Sequence, residues 1–218
     1  MARLARKHLD FTDWITEAAE AVYMVIIING YVALSQLNSG FVYIVAVNIG
    51  ACIGWGFIDG FTYAVGGSID RGKEVALIKK IQTEKDPERA VSEVVDELDD
   101  TFVSRFSPQG KQSIAKEILR NAKGVSYVKQ RFITKEELQG FGSILLVYLT
   151  AGVALSLPYL VLHNKIDAWL ISNLLGISWL FFYGFRVGQI LEGKKIFLGL
   201  ITAGAGIAFL LVSYFVYT

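Results

Sequence analysis

FVYIVAVNIGACIGWGFIDGFTYAVGG, residues 41–67, is an apolar run of 27 residues broken by one acid, Asp59. A helix needs about 20 mostly apolar residues to cross the hydrocarbon core of a bilayer, so this stretch reads as a membrane span with a carboxylate inside it. Working outward, four more segments share its character, at roughly 14–36, 141–163, 168–188 and 196–217. The first of these is too long for the apolar region of a signal peptide, and Glu17 and Glu20 are out of place in one. The whole chain of 218 residues is 53% hydrophobic and 19% charged, against about 25% charged in soluble domains. Fourteen of its 21 Lys and Arg lie between Arg71 and Lys135, leaving long runs on either side nearly bare of them. That distribution excludes a soluble globule and a disordered chain. A formal net charge of +1 excludes a nucleic-acid binder led by charge. The lone Cys52 sits in an apolar run, so there is no disulfide framework.

Basic residues set the orientation of such a chain. Arg3, Arg6 and Lys7 precede the first span, the large basic count follows the second, and Arg186, Lys194 and Lys195 mark the fourth connection. The other two connections carry only Lys165. The expected arrangement is multi-pass, with the N-terminus and the 70–140 segment cytoplasmic and the C-terminus on the opposite side. The fold expected is an all-α integral membrane protein of five transmembrane helices. A small three-helix cytoplasmic domain is inserted between helices two and three, which divides the chain at 1–70, 71–139 and 140–218.

The inserted segment has its own helix signals. Gly72 to Thr83 continues the second span as a helix. Asp86-Pro87 is an N-cap with proline at the first helical position. Val91, Val94, Val95, Leu98 and Phe102 then repeat at helical spacing, with Glu93, Asp96, Glu97 and Asp100 on the other side. Ser107-Pro108 opens another helix carrying Ile114, Ile118 and Leu119, which Gly124 can stop. Thr134 with Glu137 reads as a capping box leading into the third span.

Chemistry is expected where polarity enters the membrane. An ionisable group inside a span costs roughly 2.5–3.5 kcal/mol on insertion scales and marks function by default. Counting from Ser39 in the turn between the first two spans, Glu20 lies 19 residues back and Asp59 lies 20 forward. Equal rise per residue puts the two carboxylates at one depth, in the cytoplasmic half. Asn29 and Asn48 match in the same way, nearer the outside. Asn48, Cys52, Trp55, Asp59 and Tyr63 form a stripe on the second span; Asp13, Glu17, Glu20 and Met24 form one on the first. Facing acids supply hard oxygen ligands suited to Mn²⁺, Fe²⁺, Mg²⁺ or Ca²⁺, with Met24 or Cys52 as a soft donor. Close carboxylates can also share a proton, which would serve proton coupling. Blander readings stand beside these. Glu17 could rest in the interface near Trp14, Glu20 and Asp59 could pair with Arg186, and the acidic face at 93–100 could be merely solvated. Gly50, Gly54, Gly56 and Gly60, with Gly199, Gly204 and Gly206, have the small-residue spacing of close helix packing.

This arrangement resembles the vacuolar iron transporter family. Gly54–Gly72 (GWGFIDGFTYAVGGSIDRG) is similar to the family's second span running into its cytoplasmic helix. Ala151–Leu162 (AGVALSLPYLVL) is similar to the family's third span, and Ile15–Leu34 to its first. The resemblance implies export of Fe²⁺ or Mn²⁺ from the cytosol in exchange for protons, by a homodimer. In place of the family's Asp-Gly in span one this chain has Glu20-Ala21, and Asp59 stands where the family often has a Met, which makes the site harder and more anionic. Glu93, Glu97 and Asp100 stand as counterparts of the family's cytoplasmic glutamates. The metal-ligating set expected is therefore Glu20, Asp59, Glu17, Met24, Glu93, Glu97 and Asp100. The partners expected are divalent metal, protons, the lipid bilayer and a second copy, and no nucleic acid. No resident cofactor is expected. Nor is catalysis, since there is no CxxC, P-loop, HExxH or nucleophile–base grouping, and His8 and His163 fall on opposite sides. A metal sensor or storage-associated protein that binds without transport is the alternative, and a scaffold with buried ion pairs the blandest competitor.

Overall fold

A computed structural model describes residues 11–35, 40–122, 124 and 132–216, and among these there is no strand. Seven α-helices follow one another: α1 (Phe11–Ser35), α2 (Phe41–Thr83), α3 (Pro87–Asp99), α4 (Pro108–Ala122), α5 (Lys135–Val161), α6 (Lys165–Ile190) and α7 (Lys195–Val216), with a 3-10 turn at Phe102–Arg105. The chain divides into two compact units, Met1–Ala64 with Lys135–Thr218, and Val65–Thr134. The Ser39 turn, His8 and the basic residues of the N-terminus lie outside the described residues.

Among the described residues, four helices are long and apolar enough to cross a membrane: α2, α5, α6 and the Lys195–Ser213 part of α7. The protein is thus an all-α chain of membrane-protein character. Five such spans were expected, and α1 is not among the four. Its sequence carries Thr12, Asp13, Thr16, Glu17, Glu20 and Asn29, and that polar content dilutes its apolar stretch. The same helix is the most enclosed of the first unit: Ile15, Ala18, Ala19, Ala21, Val22, Val25 and Ile26 are all buried. Ala19, Ala21, Val22, Val25 and Ile26 meet Ile144, Tyr148, Leu155 and Leu180 of α5 and α6 in one apolar core. A helix wrapped by its neighbours does not need the all-round apolarity that lipid demands. By contrast α2 leaves Val42, Ile53, Trp55, Phe57, Ile58 and Phe61 exposed.

Glycine lets two of these helices touch. A Cβ on Gly56 of α2 would come within 2.8 Å of Tyr148 Cβ, and one on Gly152 of α5 within 2.6 Å of Cys52 Sγ. The α2–α5 seam therefore closes to near backbone distance. A Cβ on Gly50, Gly54 or Gly204 would meet nothing within 4 Å among the described residues of this chain.

The second unit is built by the signals its sequence carries. The Asp86 side chain caps α3 by accepting from the Glu88 N–H at 3.0 Å, and Ser107 accepts from the Gly110 N–H at 3.1 Å at the start of α4. Val94, Ile81, Ala115 and Ala122 make its core, with Leu77, Val91, Val95, Leu98 and Leu119 against it. Phe102 does not join this stripe. α3 ends at Asp99, and the Thr101 hydroxyl starts the 3-10 turn by accepting from the Val103 N–H at 3.2 Å. The change of helical period leaves Phe102 77% exposed and turns Val103 inward at 5%. Lys80 Nζ and Glu93 Oε1 pair at 2.8 Å, which holds the Lys80 ammonium above its ordinary lysine value.

The Asp86 cap generates a test. Removing it as Asp86→Ala strands an N–H at the first turn and costs about 1 kcal/mol. Amide exchange of Ala90 to Val94 in the full chain should then quicken by roughly fivefold. Asp100→Ala, at an exposed position past the end of α3, should leave those rates alone.

Candidate metal centre

Glu17 and Glu20 are three residues apart on α1, and the intervening Ala18 and Ala19 are buried, so the two acids project from the side of α1 left open by the core. Asp59 comes from α2. One carboxylate oxygen of each of the three lies within 4.8 Å of the others. Glu17 and Asp59 are half-buried and Glu20 is exposed. The equal depth expected for Glu20 and Asp59 is thus realised in direct proximity.

The fourth member, Tyr148 of α5, escapes the sequence reading. Its hydroxyl donates a short hydrogen bond to Asp59 Oδ2 and stands 3.5 Å from Glu20 Oε2. Gly56 makes this possible, because any larger residue there would hold α5, and with it the phenol, away from α2. The only hint in the sequence was a phenol within an otherwise apolar span.

Electrostatically the group is unbalanced. Two full negative charges about 5 Å apart repel by about 3 kcal/mol at an effective dielectric constant near 20. Three such pairs add to one another, and among the described residues no cation pairs with the three acids to offset them. Arg186, the expected candidate, instead donates from Nη1 to Gln189 Oε1 at 2.6 Å and lies over the Phe11 ring at 5.1 Å. Glu17 Oε2 is buried without a hydrogen-bond partner.

One further polar layer lies along the same helices. Asn48 Nδ2 donates to Asn29 Oδ1 at 3.2 Å and to Ser156 Oγ at 3.4 Å. Asn29 Nδ2 donates to Ser172 Oγ at 2.8 Å, Tyr159 OH donates to Asn29 Oδ1 at 3.1 Å, and Ser172 Oγ donates to the Leu155 carbonyl at 2.7 Å. Asn29, Asn48, Ser156 and Ser172 are fully buried. The matched depth of the two asparagines is realised here. This layer ties four helices together with neutral groups, whereas the acid group ties three with charge.

The other expected ligands have surroundings of their own. Met24 packs against the apolar core, and Cys52, fully buried, does the same. Glu93 faces Lys80, while Glu97 and Asp100 are exposed on α3. Among the described residues, Glu17, Glu20 and Asp59 form the one group of three or more His, Cys, Asp or Glu side chains placed to share a metal ion. Trp55 also leaves the stripe expected for it and is 52% exposed. The buried line on α2 steps by four through Asn48, Cys52 and Gly56, which turns Trp55 off its edge. No protein-family model and no curated protein matches this chain.

Asn29→Leu tests the neutral layer. It leaves Tyr159 without its acceptor, Asn48 with Ser156 alone and Ser172 without a donor, a loss of about 1–3 kcal/mol for stranded buried groups. The thermal midpoint of the purified protein should fall. An unchanged midpoint would mean that the layer does not hold the four helices together.

Proposed function

We propose that this chain is a divalent-metal transporter that exports Fe²⁺ or Mn²⁺ from the cytosol in exchange for protons, as a divergent relative of the vacuolar iron transporter family. The observation that carries the proposal is the uncompensated group Glu17, Glu20 and Asp59, whose ligand oxygens lie within 4.8 Å of one another. Carboxylate oxygens are hard ligands and fit Mn²⁺ and Fe²⁺ better than a closed zinc site. In this reading Glu20 and Asp59 hold the ion, Tyr148 orients Asp59, and Glu17 attracts the ion or passes it on. Protons and metal compete for the same oxygens, so metal binding releases protons and proton return releases metal.

In the same reading α1 is a fifth membrane-crossing helix, shielded from lipid by α5 and α6. The N-terminus and the second unit are cytoplasmic, with the C-terminus opposite. The exposed apolar face of α2 serves lipid and a second copy in a homodimer. The acidic face at Glu93, Glu97 and Asp100 raises the local cation concentration. A binding-only sensor draws on a different observation: Cys52, Asn48 and Asn29 are fully buried, which closes the line of residues leading away from the acids. Metal binding without flux would favour that reading.

In proteoliposomes, Mn²⁺ or Fe²⁺ flux should follow an imposed pH gradient. Glu20→Gln and Asp59→Asn should each lower it by at least about tenfold, on the scale of about 1.4 kcal/mol or more for one lost charged ligand. Unaltered flux in both variants would refute the mechanism. Tyr148→Phe keeps the ring and removes the hydroxyl, so it should weaken flux less than either acid variant. Apparent Mn²⁺ affinity should rise with pH, by up to about tenfold per pH unit for each proton displaced. A pH-independent affinity would contradict proton exchange.

A further inference from the structure

In the first unit, α1, α5 and α6 line an apolar groove of about 550 Å³. Trp14 and Val22 of α1, Val147 and Ala154 of α5, and Leu175 and Trp179 of α6 are among its walls. That volume is in the range of small-molecule sites, but the lining is apolar over almost its whole length, which suits a hydrocarbon chain. Ser143 and Thr150 add hydroxyls to that lining, and Trp179 forms part of the wall with its Nε1 buried without a hydrogen-bond partner. Two turns further along α6, the Arg186 guanidinium stacks over Phe11, and its Nε is also buried and unpartnered. Phe11 stacks on Trp14 at 6.4 Å, and Trp14 meets Trp179 edge-on at 6.2 Å. An aromatic collar therefore leads from the groove to the guanidinium.

A buried indole N–H and a guanidinium N–H both left without acceptors have a cost that a ligand acceptor removes. The seven residues from Trp179 to Arg186 span about 10 Å along the helix. An apolar chain, then a carbonyl, then a phosphate, in that order and over that distance, describes a glycerophospholipid. Indole rings also favour the level where hydrocarbon gives way to headgroups. We propose that this groove is a binding site for one phospholipid with a net negative headgroup. One acyl chain fills the groove, an ester carbonyl accepts from Trp179 Nε1, and the phosphate accepts from Arg186 Nε. Net negative charge is favoured because no carboxylate among the described residues pairs with Arg186. The inference rests on the apolar helices and these two orphaned donors, and stands whether or not the protein moves metal.

Native mass spectrometry of the delipidated full chain, titrated with phosphatidylglycerol and phosphatidylcholine in micelles, tests it. Phosphatidylglycerol should bind at one site, about fivefold tighter than phosphatidylcholine, the scale of one basic residue facing an anionic lipid. Arg186→Gln should abolish that preference and Arg186→Lys should keep much of it. Ala154→Phe, which fills the groove, should lose both lipids while an unchanged circular dichroism spectrum reports a folded chain. Equal affinity for the two lipids in the unsubstituted protein, or a preference that survives Arg186→Gln, would overturn the proposal. So would displacement of the lipid by inorganic phosphate, which would make Arg186 a simple anion site, or occlusion of the groove by a second copy.

Discussion

Three carboxylates brought within 4.8 Å of one another in a mostly apolar helical unit are the constraint around which that unit is arranged. Acids in such a setting need a wall of helices to shield them and a partner to balance them. The wall is visible. α1 bears two of the acids and is also the helix most enclosed by the others, so its polar side faces α2 and α5 and its apolar sides face the core. Gly56 then lets α5 approach closely enough for Tyr148 to reach Asp59. Among the described residues no cation pairs with the three acids, and Arg186 turns instead to Gln189 and Phe11.

The amide layer of Asn29 and Asn48 shows the contrast. Its groups are neutral, buried and joined to one another apart from Asn48 Oδ1, which is buried without a partner, and such joined networks lend rigidity and specificity. The acid group is partly exposed and electrically incomplete, so its energy changes with whatever proton or ion occupies it. The unit therefore has a rigid polar layer and an adjustable one on the same helices. Transport would require the first to open in step with occupancy of the second, whereas a sensor would leave it shut.

Much of this was legible in the sequence, for a simple geometric reason. Two helices joined by a short turn rise equally, so counting outward from Ser39 matched Glu20 with Asp59 and Asn29 with Asn48. Local capping chemistry likewise located the starts of α3 and α4. Features that depend on helices far apart in the chain could not be read this way. Tyr148 joins the acids through an approach that Gly56 permits, and the helical pattern of α5 alone says nothing of it. α1 lacks the apolarity of a lipid-facing span because its neighbours shield it, a fact of packing. Phe102 was placed by extending an α-helical period across the point where the Thr101 cap changes it. Arg186 lies at a plausible depth for the acids, but its rotamer leads to other partners.

The most direct test is to locate the ion. Crystals or particles prepared with Mn²⁺ should show a metal bound between Glu20 and Asp59, with carboxylate oxygens at about 2.0–2.3 Å, the range for oxygen ligands of small divalent cations. Tyr148 should still be hydrogen-bonded to Asp59. Metal found only elsewhere, or none at saturating Mn²⁺ with the three acids held together by shared protons, would contradict the account.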